Sequence, residues 1–246
     1  MQLEVDTLEQ IGTWEYVIPP PHVNIIGSRF VYKTKFALGK FVKAKSRLVA
    51  QGYSQREGVD YFADDTFAPV TRMSSLRFIL TLAASRNFEI TQLDIKSAYL
   101  YGKVTEGEDL YLRPPPGNFL PNLPNGHVLK LKRTLYGVKQ GGRRWYVTLC
   151  DILAKLKLTR SNYDNSVWYL YHNDKLILVM AVHVDDITLC TVTTAVAELF
   201  ATALRQHVEV TDGGNIHWIL SIEVEHDQTA HTIKLRQKHY ILNILK

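Results

Sequence analysis

Residues 176–190 read LILVMAVHVDDITLC, an apolar run interrupted by two adjacent carboxylates, Asp185 and Asp186. Seven apolar residues lead up to the pair's neighbourhood and Ile187, Leu189 and Cys190 follow it, so the acids fall at a turn between two strands with buried character. Two like charges at such a tip repel each other, and partial burial raises the cost of ionising them unless a cation sits there. Oxygen ligands on a rigid hairpin suit Mg²⁺, which takes one or two carboxylates together with substrate phosphates. A further carboxylate on a neighbouring strand would help to hold two ions. Asp94 in QLDIKSAYLYG (92–102) is the candidate, because it too follows an apolar strand. Spacing alone leaves a second reading open, an acidic β-turn beside an unrelated strand-end aspartate. The other Asp-Asp pair, Asp64 and Asp65 in YFADDTFAP, has no sustained apolar run beside it and reads as a solvated loop.

Outward from this hairpin, the spacing predicts helices over 74–88, with a serine as cap, over 143–158 and over 194–207. Strands are expected in EITQLDI (89–95), in three runs between 166 and 192 with turns at 172–175 and at the paired aspartates, and in a last hairpin turning at 227–230. FVYKTKFALGKFVKAKSRLVAQGY (30–53) alternates large apolar and basic residues about Gly39, as a half-exposed basic hairpin would. The Pro/Gly clusters at 19–22 and 113–126 read as loops. Strands, hairpins and helices in this order imply an α+β fold with an antiparallel sheet.

The 246 residues are 46% hydrophobic and 22% charged, enough for a sizeable core. The net charge of +5 permits a polyanionic partner without identifying one. Its distribution is more informative. No acid occurs between Glu15 and Glu57, where Arg29, Lys33, Lys35, Lys40, Lys43, Lys45, Arg47 and Arg56 fall. A second acid-free window from Arg113 to Cys150 carries Lys130, Lys132, Arg133, Lys139, Arg143 and Arg144. Either block alone reads as a solvated face, but two blocks flanking an acidic centre are what phosphate backbones require. Cys150 and Cys190 are too few for a disulfide framework and lack zinc spacing. With no apolar leader in MQLEVDTLEQ and no apolar run of membrane length, the expectation is an intracellular chain with no membrane partner.

Six stretches together carry a resemblance: KSRLVAQGYSQREGVDYF, DTFAPVTRMSSLRFILTLAA, QLDIKSAYLYG, LKRTLYGVKQGGRRW, AVHVDDITL and GGNIHWILSIEV. In order and spacing they resemble the reverse transcriptase domain of copia-type LTR retrotransposons, from about Trp14 to the C-terminus. The resemblance implies a right-hand polymerase fold with basic fingers and an antiparallel palm sheet packed on helices, the thumb being largely absent. The implied layout is one domain, 1–246, with fingers at about 14–88 and 113–150, palm at about 89–112 and 151–235, and the start of a thumb or connection at 236–246.

It also implies roles. Asp94, Asp185 and Asp186 become catalytic metal ligands for two Mg²⁺ ions, with Mn²⁺ as a substitute and Asp186 the more peripheral. Tyr99 lies under the sugar of the incoming nucleotide and disfavours a 2′-hydroxyl. Gly137, Lys139 and Gln140 form a loop against nucleotide or template, and Lys45 and Arg47 meet the triphosphate. The implied activity is an RNA-directed DNA polymerase that extends a primer on an RNA or DNA template with deoxynucleoside triphosphates. Other segments of a Pol polyprotein are the expected protein partners, and the expected location is cytoplasmic, in virus-like particles, or nuclear.

Three departures from the family pattern stand out. His183 replaces the tyrosine of YVDD. Gly141-Gly142 replaces the Ala-Pro of QAPRAW, for which a more flexible loop is expected. Ser221 replaces the glycine of YFLGIEV. No zinc knuckle, protease or integrase motif is visible, and no ribonuclease H domain is expected within the chain. The rival readings are a non-catalytic remnant that keeps the fold and binds nucleic acid, and a two-metal cyclase. The cyclase leaves KSRLVAQGY and LYGVKQ unexplained.

Overall fold

The computed structural model describes residues 1–37, 40–105 and 107–245. The expected turn at Gly39 and the terminal Lys246 lie outside them. The chain opens with helix α1 (Gln2–Gln10), strands β1 (Trp14–Val17) and β2 (Ile25–Ile26), and hairpin strands β3 (Ser28–Ala37) and β4 (Lys40–Ala50). Helix α2 (Met73–Ser85), strands β5 (Glu89–Ile95), β6 (Tyr111–Leu112) and β7 (Val128–Leu131), and helix α3 (Gly141–Lys155) follow. Next come β8 (Thr159–Arg160), β9 (Val167–His172), β10 (Lys175–His183), β11 (Asp186–Thr191) and helix α4 (Thr194–Arg205). The last elements are β12 (Val210–Asn215), β13 (Trp218–Ile219), β14 (Ile222–Asp227), β15 (Thr232–Arg236) and helix α5 (Lys238–Ile244).

These elements form two compact units. The first comprises Met1–Ala68 and Ala98–Thr148, the second Pro69–Ser97 and Leu149–Lys246. These units are set by chain contacts and do not coincide with the segments expected for fingers and palm. Helix α2, expected with the fingers, belongs to the second unit because its stripe of Leu76, Ile79, Leu80 and Ala83 is buried with Ile90, Val179 and Cys190. Residues 98–112, expected with the palm, belong to the first.

In the first unit β1, β7, β6 and β2 form a sheet in that order, antiparallel except for the two-residue parallel pair β2–β6. The β3–β4 hairpin stands as a separate two-stranded sheet. A leucine-rich core fills the unit, and α1 joins it through Val5 and Leu8, both essentially without exposed surface. That helix was not anticipated, since only these two residues, three apart, carry its buried stripe.

The second unit holds the predicted antiparallel sheet, six strands in the order β12-β5-β11-β10-β9-β8. Alternation along the strands sends Ile90, Val179, Ala181 and Cys190 to the face under α2. Thr91 and Leu93 line the opposite face with Ala197 and Ala201 of α4. The helix over 74–88 is found at Met73–Ser85, and no serine side chain caps it. Its start is held instead by the buried Asp164, which accepts hydrogen bonds from the Arg72 amide at 3.0 Å and the Ser166 amide at 3.0 Å. Burial pushes this carboxyl up, but hydrogen bonds from Ser75 and the two amides hold it below the usual carboxylate range. The helix ends where Asn87 turns left-handed, with the Phe88 amide bonded to the Ala83 carbonyl. Gly141 and Gly142 were expected in a flexible loop. They are instead the first residues of α3, and a Cβ on Gly141 would meet the Tyr99 ring at 3.1 Å.

Strands β13, β14 and β15 form a three-stranded sheet, with the predicted β14–β15 hairpin and a tighter turn before it. Ile219 pairs with Ile222, leaving Leu220 and Ser221 as a two-residue turn with φ of 48° and 68°. Left-handed values at both central positions favour glycine or asparagine, so the Ser221 departure carries a local conformational cost. Ser221→Gly is expected to stabilise the protein by about 1 kcal/mol, read as a higher urea midpoint with an unchanged m-value.

Candidate active site

The hairpin β10–β11 closes on Val184 and Asp185, with His183 paired to Asp186. Val184 has φ 61°, a conformation that a β-branched residue seldom adopts, and such strain gathers at sites where backbone geometry serves function. In the neighbouring strand Asp94 is the direct register partner of Asp186. Opposed residues of antiparallel strands have Cβ atoms about 5 Å apart. The Ile95 amide donates to the Asp185 carbonyl at 2.9 Å, tying the turn to β5. Leu93, Ile95, Ile187 and Leu189 anchor these strands in the core, while Asp94 and Asp186 are exposed and Asp185 is half-buried. The sequence-predicted trio is therefore assembled on two adjacent strands and one turn.

The carboxylates affect one another. The Asp186 carboxyl is pushed above the usual carboxylate range by partial desolvation, then by repulsion from Asp185 and Asp94, against a smaller opposing effect of His183. The His183 Nδ1 is buried without a hydrogen-bond partner. Among the described residues no three His, Cys, Asp or Glu side chains already converge as a closed metal cage. An open set of hard oxygen donors in mutual repulsion still fits Mg²⁺, which completes its shell with water and substrate phosphates.

The other predicted residues lie in the first unit. Tyr99 and Arg47 converge on a residue that sequence reasoning passed over, Tyr136. The Tyr99 and Tyr136 ring centroids are 5.2 Å apart, and the Arg47 guanidinium lies 4.9 Å from the Tyr136 centroid. Lys45 is exposed on the same strand as Arg47, two residues away. Tyr136 stands inside the quoted LYGVKQ, and an aromatic beside a positive-φ glycine was the available signal.

Gly137 does permit a close backbone approach, but to its own chain. With φ 89°, a Cβ there would meet the Ala50 carbonyl oxygen at 2.1 Å, and one on Gly52 would meet the Gly137 carbonyl at 2.0 Å. Lys139 is exposed, its ammonium 4.7 Å from the Tyr61 ring centroid. Gln140 is a correction to the expected nucleotide contact. It has no exposed surface, and its amide is occupied by protein. Its Nε2 donates to the Asp60 carbonyl at 2.9 Å and to Glu108 at 2.5 Å, while its oxygen accepts from Gln55 at 2.9 Å. Gln55 in turn accepts from the Lys139 amide at 2.8 Å. Gln140 is a positioning residue for the loop that carries Lys139.

Arg144 extends this network by bridging Glu108 at 3.0 Å and Asp65 at 3.4 Å. It stands where the QAPRAW pattern has alanine. Asp65 is thus an ion-pair partner and not the plain solvated loop residue expected. The second basic window is likewise less free than its sequence implies. Lys130 pairs with Asp109 and Lys132 with Glu15, each at 2.7 Å.

Residues 11–246 match the family model described as reverse transcriptase (RNA-dependent DNA polymerase). The chain is 39% identical over 240 residues to the retrovirus-related Pol polyprotein from transposon RE1 of Arabidopsis thaliana, covering 96% of this chain and 16% of that protein. It is 30% identical over 247 residues to the Pol polyprotein from transposon TNT 1-94 of Nicotiana tabacum, covering 100% of this chain and 18% of that one. A foamy viral protease-reverse transcriptase solved in complex with double-stranded DNA aligns at 13% identity with a TM-score of 0.48, covering 97% of this chain and 35% of that chain. The chain belongs to the reverse transcriptase family, in the branch formed by retrotransposon Pol polyproteins, and spans about a sixth of the length of the curated relatives it matches.

Two outcomes follow. The folded Asp186 carboxyl holds its proton more tightly than the unfolded one, so its ionisation costs stability as pH rises through its raised pKa. Asp186→Asn should therefore be more stable than wild type at about pH 7, with the gap closing below about pH 4, in urea titrations across that range. Gln140→Leu strands Gln55, Glu108 and the Asp60 carbonyl in a buried site and should cost about 2–4 kcal/mol. Gln55→Leu in the same background should then cost about 1 kcal/mol less than it does alone, as a double-mutant cycle will show.

Proposed function

We propose that this chain is the polymerising domain of a retrotransposon Pol polyprotein, extending a primer with deoxynucleoside triphosphates on an RNA or DNA template. The observation that carries the reading is the register of β11 on β5, which sets Asp186 opposite Asp94 and holds Asp185 in a turn tied to the same strand.

The reaction is an in-line displacement. The primer 3′-oxygen forms a bond to the α-phosphorus, the bond to the bridging oxygen breaks, and pyrophosphate leaves. Asp94 and Asp185 would hold the divalent cations, with Asp186 as the outer ligand. When bound, such ions activate the primer hydroxyl and stabilise the attacking and leaving oxygens. The buried strands beneath keep the three carboxylates from moving apart to relieve their repulsion. Arg47, held by the Tyr136 ring, and the exposed Lys45 supply charge for the triphosphate. Tyr99, packed on Tyr136, supplies the ring that selects against a 2′-hydroxyl. The basic β3–β4 hairpin, with Arg29 and Lys33 exposed, provides contacts for the template backbone.

The test is primer extension by the purified chain with Mg²⁺ or Mn²⁺ on RNA and DNA templates, beside Asp185→Asn. Extension is expected from wild type on both templates, with a loss of at least about a thousandfold in the variant. Extension no greater than that of the variant would make the chain a non-catalytic binder of nucleic acid.

A further inference from the structure

The sheet of the second unit is wider than the elements that cover its α2 face. Six strands span about 24 Å; the β13–β15 sheet packs on this face through Ile219, Ile222 and Val224, and α2 covers about a further 10 Å. Helix α2 covers β10 and β11, and the side chains of β9 beyond it are left partly open. Val167, Tyr169 and Tyr171 alternate onto this face of β9, and the Tyr169 and Tyr171 rings meet edge-on at 5.8 Å. Between them and α2 lies a cavity of about 640 Å³, floored by Ile79 and Val179 and rimmed by Phe78, Tyr163 and Arg86. Phe78 is 69% exposed, Tyr171 56% and Tyr163 92%. Three large aromatic rings left in solvent around one cavity mark a recognition surface.

Of the described residues, the cavity lining holds one cation, Arg86, and one acid, Asp164. The segment from Thr66 to Phe88 contains no acid but carries Arg72, Arg77 and Arg86, all exposed. Among the described residues neither Arg77 nor Arg86 has an ion-pair partner. Asp164, the acid in the cavity wall, is 6% exposed and directs its oxygens at Arg72, Ser75 and Ser166 rather than outward. Serine hydroxyls at 74, 75 and 161 complete the lining. Exposed rings for base faces, the free Arg86 guanidinium for phosphate and hydroxyls between them are the chemistry that holds unpaired nucleotides. A protein partner would be met by the same rings, but Asp164 has both oxygens engaged by backbone amides and offers nothing to a partner's cations.

We infer that the α2–β9 cavity is a docking site for single-stranded nucleic acid, with bases stacked on Tyr163, Tyr171 and Phe78 and phosphate met by Arg86. It is separate from the carboxylates. Val179 lies four residues along β10 from His183, about 13 Å, and β9 lies two strands from β11, a further distance of about 10 Å. The inference does not depend on polymerase activity. It supplies a place for a strand to be held outside the extension site.

The test uses the whole chain with oligo(dT) and oligo(U) strands carrying 5-iodouracil, irradiated and mapped by mass spectrometry. Cross-links are expected at Tyr163, Tyr171 or Phe78, and they should persist in Asp185→Asn whether or not that residue supports extension. Phe78→Ala combined with Tyr171→Ala should weaken oligonucleotide binding about tenfold in fluorescence anisotropy. Arg86→Gln should lower the salt slope by about 0.7. Tyr163→Ala, at a fully solvent-facing ring, should weaken binding about fivefold without disturbing the core. Cross-links found only elsewhere, or binding unchanged in both aromatic variants, would overturn the inference. So would loss of self-association in those variants with oligonucleotide binding intact, which would make the surface a protein interface.

Discussion

Everything at the candidate active site depends on the pairing of β11 with β5. A slip of one residue in that ladder would turn Asp94 to the opposite face and expose Leu93 and Ile95 to water. The pairing must therefore be held by something stronger than the charge repulsion it creates. The rows beneath supply it, with Ile90 against Cys190 and Leu93 against Ile187, all nearly without exposed surface. Hydrophobic burial fixes the register, and the register fixes the electrostatics. This is why an apolar run leads directly to two acids, and why Val184 can be kept in a backbone conformation it would not choose alone.

Much of this was legible in sequence because it depends on local periodicity. The apolar run from Leu176 to Val182 located the strand, the Asp-Asp pair located the turn, and the helix at α4 appeared where its spacing placed it. What was not legible depends on contacts between residues distant in sequence. The cap of α2 comes from Asp164, more than ninety residues from Arg72, so the nearby serines were a misleading signal. Gln140 looked like a ligand contact because it is polar and sits in a loop. Its burial follows only once Gln55 and Glu108 are brought beside it.

Charge shows the same limit. A window free of acids along the chain is not free of acids in space, and Lys130, Lys132 and Arg144 each find a carboxylate from outside it. The β3–β4 hairpin differs because Arg29 and Lys33 project from a two-stranded ribbon with few neighbours. Steric closeness is similarly hidden in sequence. Gly52 and Gly137 are needed by one another, since neither backbone could approach the next segment if a side chain were present.

The buried network around Gln140 has an evolutionary consequence. Each of its members satisfies another, so a change at Gln55, Glu108, Gln140 or Arg144 leaves a polar group stranded unless a second change accompanies it. Copies of such an element diverge one substitution at a time. These four positions should therefore behave as an inherited block, tolerant of joint replacement and intolerant of stepwise drift. The arginine at 144 belongs to the block because Asp65 and Glu108 both receive it.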